Sequence, residues 1–149
     1  MTRAMFAAVL YRIEDRQSAI DDKGYAQVFN DIVEGAWYYD AVLWAADKGI
    51  VSGVGGGKFD PNAPVTREQM AVMLWNYIQH KEYELKATAA GAAFADEEKI
   101  SDWARDSVKS IQRAGIIGGK PGNLFDPQGV ATRAEVATIF ARFAEQDYY

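Results

Sequence analysis

The chain has 149 residues, 49% of them apolar, and a formal net charge of −5. That size and apolar share support a packed core and argue against disorder, and the acidic balance argues against a nucleic-acid binder held by phosphate contacts. There is no cysteine, which excludes disulfides and thiolate metal sites, and no apolar run approaches the ~18 residues that cross a bilayer as a helix.

The first stretch, Thr2-Arg3-Ala4-Met5, opens a segment whose apolar residues Phe6, Val9, Leu10 and Ile13 fall at helical spacing. The charged run Tyr11, Arg12, Glu14, Asp15 and Arg16 follows without a small-residue cleavage site, so a signal peptide is not expected here. A polar connector, Glu14 to Gln27, leads to the turn Phe29-Asn30-Asp31. The spacing of Trp37, Ala41, Val42 and Ala45 predicts a helix from Trp37 to Lys48, stopped by Gly49 in the left-handed region. Ile50-Val51-Ser52-Gly53, the glycine-rich Gly55-Gly56-Gly57-Lys58 and Phe59-Asp60-Pro61 are expected to be irregular.

Thr66-Arg67-Glu68-Gln69 opens a second helix with Met70, Met73, Leu74 and Tyr77 on its apolar face. The connector from His80 to Ala93 either extends that helix or forms a linker. Phe94-Ala95-Asp96 then restarts the series, with a helix from Trp103 to Ala114, the stop Gly115, the segment Ile116-Ile117-Gly118-Gly119, the loop Lys120-Pro121-Gly122-Asn123 and the turn Phe125-Asp126-Pro127. Thr132-Arg133-Ala134-Glu135 opens the last helix, with Val136, Ile139, Phe140 and Phe143 on its apolar face, and Tyr148-Tyr149 has the look of a truncated end.

These are internal repeats. Trp37 and Trp103, Gly49 and Gly115, Gly53 and Gly119, Phe59 and Phe125, Pro61 and Pro127, and Thr66 and Thr132 all lie 66 residues apart. In each Thr-Arg start the Thr is placed to cap the helix, and Gln69 and Glu135 are placed to complete a capping box that Met5 cannot make. An alanine at plus five (Ala7, Ala71, Ala137) leaves room for a neighbouring helix. The recurring Arg stands in the first turn, where the helix dipole disfavours a cation, which invites a functional explanation.

The order of these motifs resembles the S-layer homology (SLH) repeat. The resemblance covers one C-terminal half-repeat and two full repeats, with expected boundaries 1–28, 29–93 and 94–149 forming one domain. It implies an all-α fold, a pseudo-threefold helical bundle with Gly-rich loops whose first repeat is incomplete. It also implies a place at the bacterial cell surface; because the chain opens inside a repeat, it is expected to be a piece of a longer protein or a mature chain that begins upstream. Its implied function is non-covalent anchoring to secondary cell-wall polysaccharide on peptidoglycan, through pyruvylated sugar. The recognition arginine of the family falls on Arg3, Arg67 and Arg133; the motif Glu is replaced by Met5 and Gln69 in the first two copies.

The residue chemistry agrees with that expectation. Guanidinium meets a carboxylate bidentately, glycine loops around Gly57 and Gly119 offer unobstructed amides, and Lys58 and Lys120 add positive charge. Trp37 and Trp103 serve either as flat faces for a sugar ring or as core packing. Trp44 and Trp75 lack Trp counterparts and belong to packing or surface. For the arginines the structural alternative is an ion pair with Glu34, Asp60 or another nearby acid. Asp31 and Asp96 are expected to cap the turn or helix that follows, and Asp60 and Asp126 to shape turns before proline. The single histidine, His80, reads as a solvated residue after a helix. Neither a nucleophile–base set nor a carboxylate pair recurs with the repeats, and EF-hand spacing is absent, so no catalysis, metal or cofactor is expected. The alternative function is a helical repeat that binds protein, including surface-layer partners, or self-assembles.

Overall fold

The computed structural model describes residues 1–17, 24–88 and 93–146. Part of the first connector, Ala89–Ala92 of the second, and Tyr148-Tyr149 lie outside them. The described chain is all-α: α1 (Arg3–Gln17), α2 (Tyr39–Asp47), α3 (Arg67–His80), α4 (Arg105–Arg113) and α5 (Arg133–Ala144), with two 3-10 turns, Glu97–Lys99 and Asp102–Ala104. Pairing outside the helices is limited, among the described residues, to isolated bridges in the loops. No described helix is long and apolar enough to cross a membrane.

The chain divides into two compact units, Met1–Val65 and Thr66–Tyr149. In the first, α1 packs on α2; in the second, α3 packs on α4 and its leading 3-10 turn. Both units begin with a Thr-Arg helix, whereas the sequence repeats end with one. The fold therefore counts from a different starting point than the motif does.

Most of the apolar stripes are buried, Phe6 and Leu10 in α1, Met70, Met73, Leu74 and Tyr77 in α3, and Val136, Ile139 and Phe143 in α5, while Val9, Ile13 and Phe140 are half-buried. Ala7 and Ala71 are sealed, but Ala137 is exposed. Trp44 is buried, with Tyr11 edge-on at 5.5 Å.

Both glycine stops are Schellman closures. Gly49 has φ 69° and Gly115 φ 73°. The amides of Ile50 and Ile116 reach back to the carbonyls of Ala45 and Ile111 at 2.8 and 3.0 Å, and those of Gly49 and Gly115 to Ala46 and Gln112. Ile50 and Ile116 are fully buried behind them. Gly115 has a second constraint, since a Cβ there would meet Thr88 Oγ1 at 2.8 Å. Gly115→Ala is therefore expected to cost about 1–2 kcal/mol from the left-handed backbone alone, and more once Thr88 is displaced; urea melts of the two proteins check this.

Two helix limits differ from the sequence reading. Trp37 lies in the turn ahead of α2, and Trp103 in a 3-10 turn ahead of α4. The second connector does not extend α3, which closes on His80, half-buried rather than solvated.

Candidate functional site

The recurring arginine has a structural partner far along the chain. In the first unit Arg3 is 5% exposed. Its Nε donates to the Phe59 carbonyl at 2.8 Å and its Nη2 to that of Ser52 at 3.2 Å. In the second unit Arg67 is 4% exposed, donating to the carbonyls of Phe125 at 2.6 Å and Gly118 at 3.4 Å, and to Glu135 Oε2 at 2.5 Å. Each guanidinium also lies over the phenyl ring of that turn, 4.7 Å from Phe59 and 5.2 Å from Phe125. Those rings rest on Phe29 and Phe94 in turn, at 5.4 and 5.2 Å.

The same loops supply what the helix starts lack. The first two amides of α1, on Arg3 and Ala4, donate to Ala63 and Pro61; those of α3, on Arg67 and Glu68, donate to Gly129 and Pro127. The third amide goes to the Thr hydroxyl, from Met5 in α1 and Gln69 in α3. Gln69 completes the capping box. Glu135 does not: its amide is capped by Thr132, but its carboxylate is taken by Arg67. The arginine thus tolerates the positive end of the helix because several carbonyl oxygens surround its charge. Burial lowers the Arg3 pKa, while the charges of Asp60 and Asp31 act the other way.

Arg3 and Arg67, two of the three positions on which the family's recognition arginine falls, are therefore closed inside their units rather than open to solvent. Arg133 differs from both: it is exposed and contacts no such loop among the described residues. The carboxylates of Asp31 and Asp96 also differ from the local-cap reading. Asp31 accepts the amides of Phe59 and Asp60 at 2.8 and 2.7 Å, and Asp96 those of Phe125 and Asp126, both at 2.8 Å. They hold the Phe-Asp-Pro turn, in which Asp60 and Asp126 adopt φ near 59° and 56°.

Desolvation pushes the Asp96 carboxyl up, but the amides of Phe125, Asp126 and Asp96 itself, with the charge of Lys99, bring it below the usual carboxylate value. A depressed folded pKa stabilises fully above the unfolded value, about 4, and that stability is lost as pH falls through the lower folded value. Asp96→Asn is expected to cost about 1–2 kcal/mol at neutral pH and to flatten the acid side of a stability-versus-pH curve, as urea melts down to about pH 2 would record.

In the second unit the loop after α4 and the start of α5 enclose a cleft of about 320 Å³. Arg67, Gly118, Gly119 and Lys120 form one wall. Glu135, Thr138, Ile139 and Arg142 form the other, at the i, i+3, i+4, i+7 spacing of one helix face. Lys120 Nζ meets Asp126 Oδ2 at 2.6 Å, and Arg67 is spent on Glu135. Arg142, exposed, pairs with no carboxylate among the described residues.

Of the residues expected at a site, the fold brings Arg67, Gly119 and Lys120 to this cleft; Trp103 and Arg133 do not line it. Trp37 and Trp103 are 61% and 59% exposed, which removes core packing as their role. Gly57 is exposed with φ 72°, and Lys58 beside it is not the counterpart of Lys120. Bridges Gly55–Lys58 and Lys120–Leu124 show that Lys58 occupies the position of Leu124 in the other loop. Recurrence does not mark Arg142, because its counterpart one repeat earlier is Asn76.

The profile of the S-layer homology domain matches residues 28–71 and 93–137. The chain belongs to the S-layer homology domain family. An amylopullulanase of Thermoanaerobacterium thermosulfurigenes is 39% identical over 98% of the chain, and exoglucanase XynX of Acetivibrio thermocellus 35% identical over 98%. The surface-layer 125 kDa protein of Lysinibacillus sphaericus is 31% identical over 78%. The chain spans only 8%, 13% and 10% of those three proteins, so the enzyme-named relatives match through their S-layer homology region alone. S-layer homology domains are binding and anchoring modules, and a cell-surface location goes with the family.

Proposed function

We propose that this S-layer homology domain anchors its protein by holding the secondary cell-wall polysaccharide of peptidoglycan, with a pyruvylated sugar carboxylate in the cleft beside α5. The repeat boundaries 1–28, 29–93 and 94–149 belong to the same reading. The observation that carries it is the charge inside the cleft: Arg67, Lys120 and Arg142 against the single carboxylate of Glu135. With Arg67 and Lys120 already paired, Arg142 is the cation available to an anion, and a carboxylate suits its planar fork. Gly118 and Gly119 let the sugar approach the backbone without side-chain obstruction. Exposed Trp37 and Trp103 supply apolar faces for further sugar rings.

Co-sedimentation with cell-wall sacculi tests the reading. Binding is expected to fall as salt rises and to vanish when hydrofluoric acid strips the polymer from the sacculi. Undiminished binding to stripped sacculi would sink it.

One observation favours a second reading, protein contact through α5. Arg133, Ala134 and Ala137 are exposed, whereas their counterparts Arg67, Glu68 and Ala71 are buried. Light scattering across a concentration series separates this from polymer binding.

A further inference from the structure

A larger cleft, about 670 Å³, lies in the second unit at the C-terminal ends of α3 and α4. Trp75 and Gln79 of α3 form its floor, with Ser110 and Arg113 of α4 opposite. Gln79 stands roughly 18 Å along α3 from Arg67, at 1.5 Å per residue. The third wall is the connector after α3, which is fixed at both ends. The Tyr83 amide donates to Ile78, and Thr88 bonds the carbonyls of Arg113 and Ala114 through its amide at 2.9 Å and its hydroxyl at 3.0 Å.

The lining has a chemistry unlike that of the smaller cleft. The acids Glu82 and Glu84 are balanced by Lys86 and Arg113. Trp75 is half-buried, offering part of its indole face. Among the described residues, the side chains of Trp75, Gln79, Glu82, Glu84 and Arg113 make no hydrogen bond or ion pair. Ser110 donates to the Asp106 carbonyl, which leaves its oxygen able to accept. An indole face beside the free polar groups of Gln79, Glu82, Glu84 and Arg113, in a lining whose formal charges balance, matches a neutral pyranose, which has an apolar C–H face and a rim of hydroxyls. Its volume lies within the range of small-ligand clefts, about 300–1,000 Å³.

We propose that this cleft is a second saccharide site, taking uncharged sugar residues against Trp75. That the sugar belongs to the same wall polymer rests on the function proposed above; saccharide binding at Trp75 does not. The polymer would then be held at both ends of α3, by its charge at one and by its ring faces at the other.

The test is titration of the isotope-labelled full chain with chitotriose and cellotriose, followed by amide and indole N–H resonances. Millimolar sugar is expected to shift the Trp75 indole and the Ser110 and Arg113 amides. Trp75→Ala is expected to weaken binding about tenfold or more, and the double variant Gln79→Ala, Arg113→Ala to do so with the indole retained, which covers a failure of Trp75→Ala to fold. Arg142→Ala should leave these shifts intact. Silence of the Trp75 indole with both sugars, or unchanged affinity in the double variant, overturns the proposal. Sugar shifts that persist when sacculus binding proves independent of Arg142 would leave this site standing while the anionic cleft fails.

Discussion

Replacing Arg67 with alanine is expected to destabilise the protein by about 3–5 kcal/mol, the range for breaking a buried charge pair by removing one partner. The side chain is 4% exposed and its loss strands three acceptors at once: the carbonyls of Phe125 and Gly118 and the carboxylate of Glu135. The phenyl ring of Phe125 also loses the group packed over it. Lysine is not a substitute, because a point charge cannot address carbonyl and carboxylate oxygens in the plane of a guanidinium fork. Arg133→Ala is the internal control. It removes the same residue from the same motif at an exposed position, and a change within about 0.5 kcal/mol is expected. Urea unfolding of the three proteins decides the matter; equal effects at the two positions would refute the buried-clasp account. Any loss of wall binding in Arg67→Ala must be read against that loss of stability.

Arg142→Ala is expected to leave stability nearly unchanged and to reduce sacculus binding roughly ten- to hundredfold. That range follows from a charge-assisted hydrogen bond to a ligand anion, about 1.5–3 kcal/mol. Lys120→Ala should have a smaller effect, because Lys120 is already engaged by Asp126 at 2.6 Å. The salt dependence of binding should flatten in Arg142→Ala, a readout that a purely structural role would not move. Binding isotherms at two ionic strengths check both points.

The helix starts, the apolar stripes and the glycine stops were legible because each is written within one turn of chain. Thr66 with Gln69, Gly49 with Ile50, and the stripe from Met70 to Tyr77 are local statements. The family was legible for the same reason, as ordered local motifs. The burial of Arg3 and Arg67 was not, since the carbonyls of Phe59 and Phe125 that their Nε atoms meet lie 56 and 58 residues away, and a backbone carbonyl is something any residue provides. Asp31 and Asp96 misled in the same way: an acid ahead of a helix reads as a cap, yet their acceptor role is spent on amides 28 and 29 residues on. Arg142 is not legible by recurrence, because Asn76 stands at its counterpart. Trp37 and Trp103 left two readings open because spacing alone does not say whether an aromatic side chain at a helix entrance turns inward.

Arg3 and Arg67 each close on the loop that precedes the next Thr-Arg helix, and this has a bearing on how such proteins can be recombined. A cassette exchanged between residues 29 and 93 would carry Arg67 away from the Phe125 carbonyl it evolved against, and would confront Arg3 with a foreign Phe59. A breakpoint between Val65 and Thr66, where the compact units meet in sequence, keeps every such pair on one side of the graft. Chimaeras cut by motif should therefore express less well than chimaeras cut one helix earlier, even when the parental sequences are equally distant.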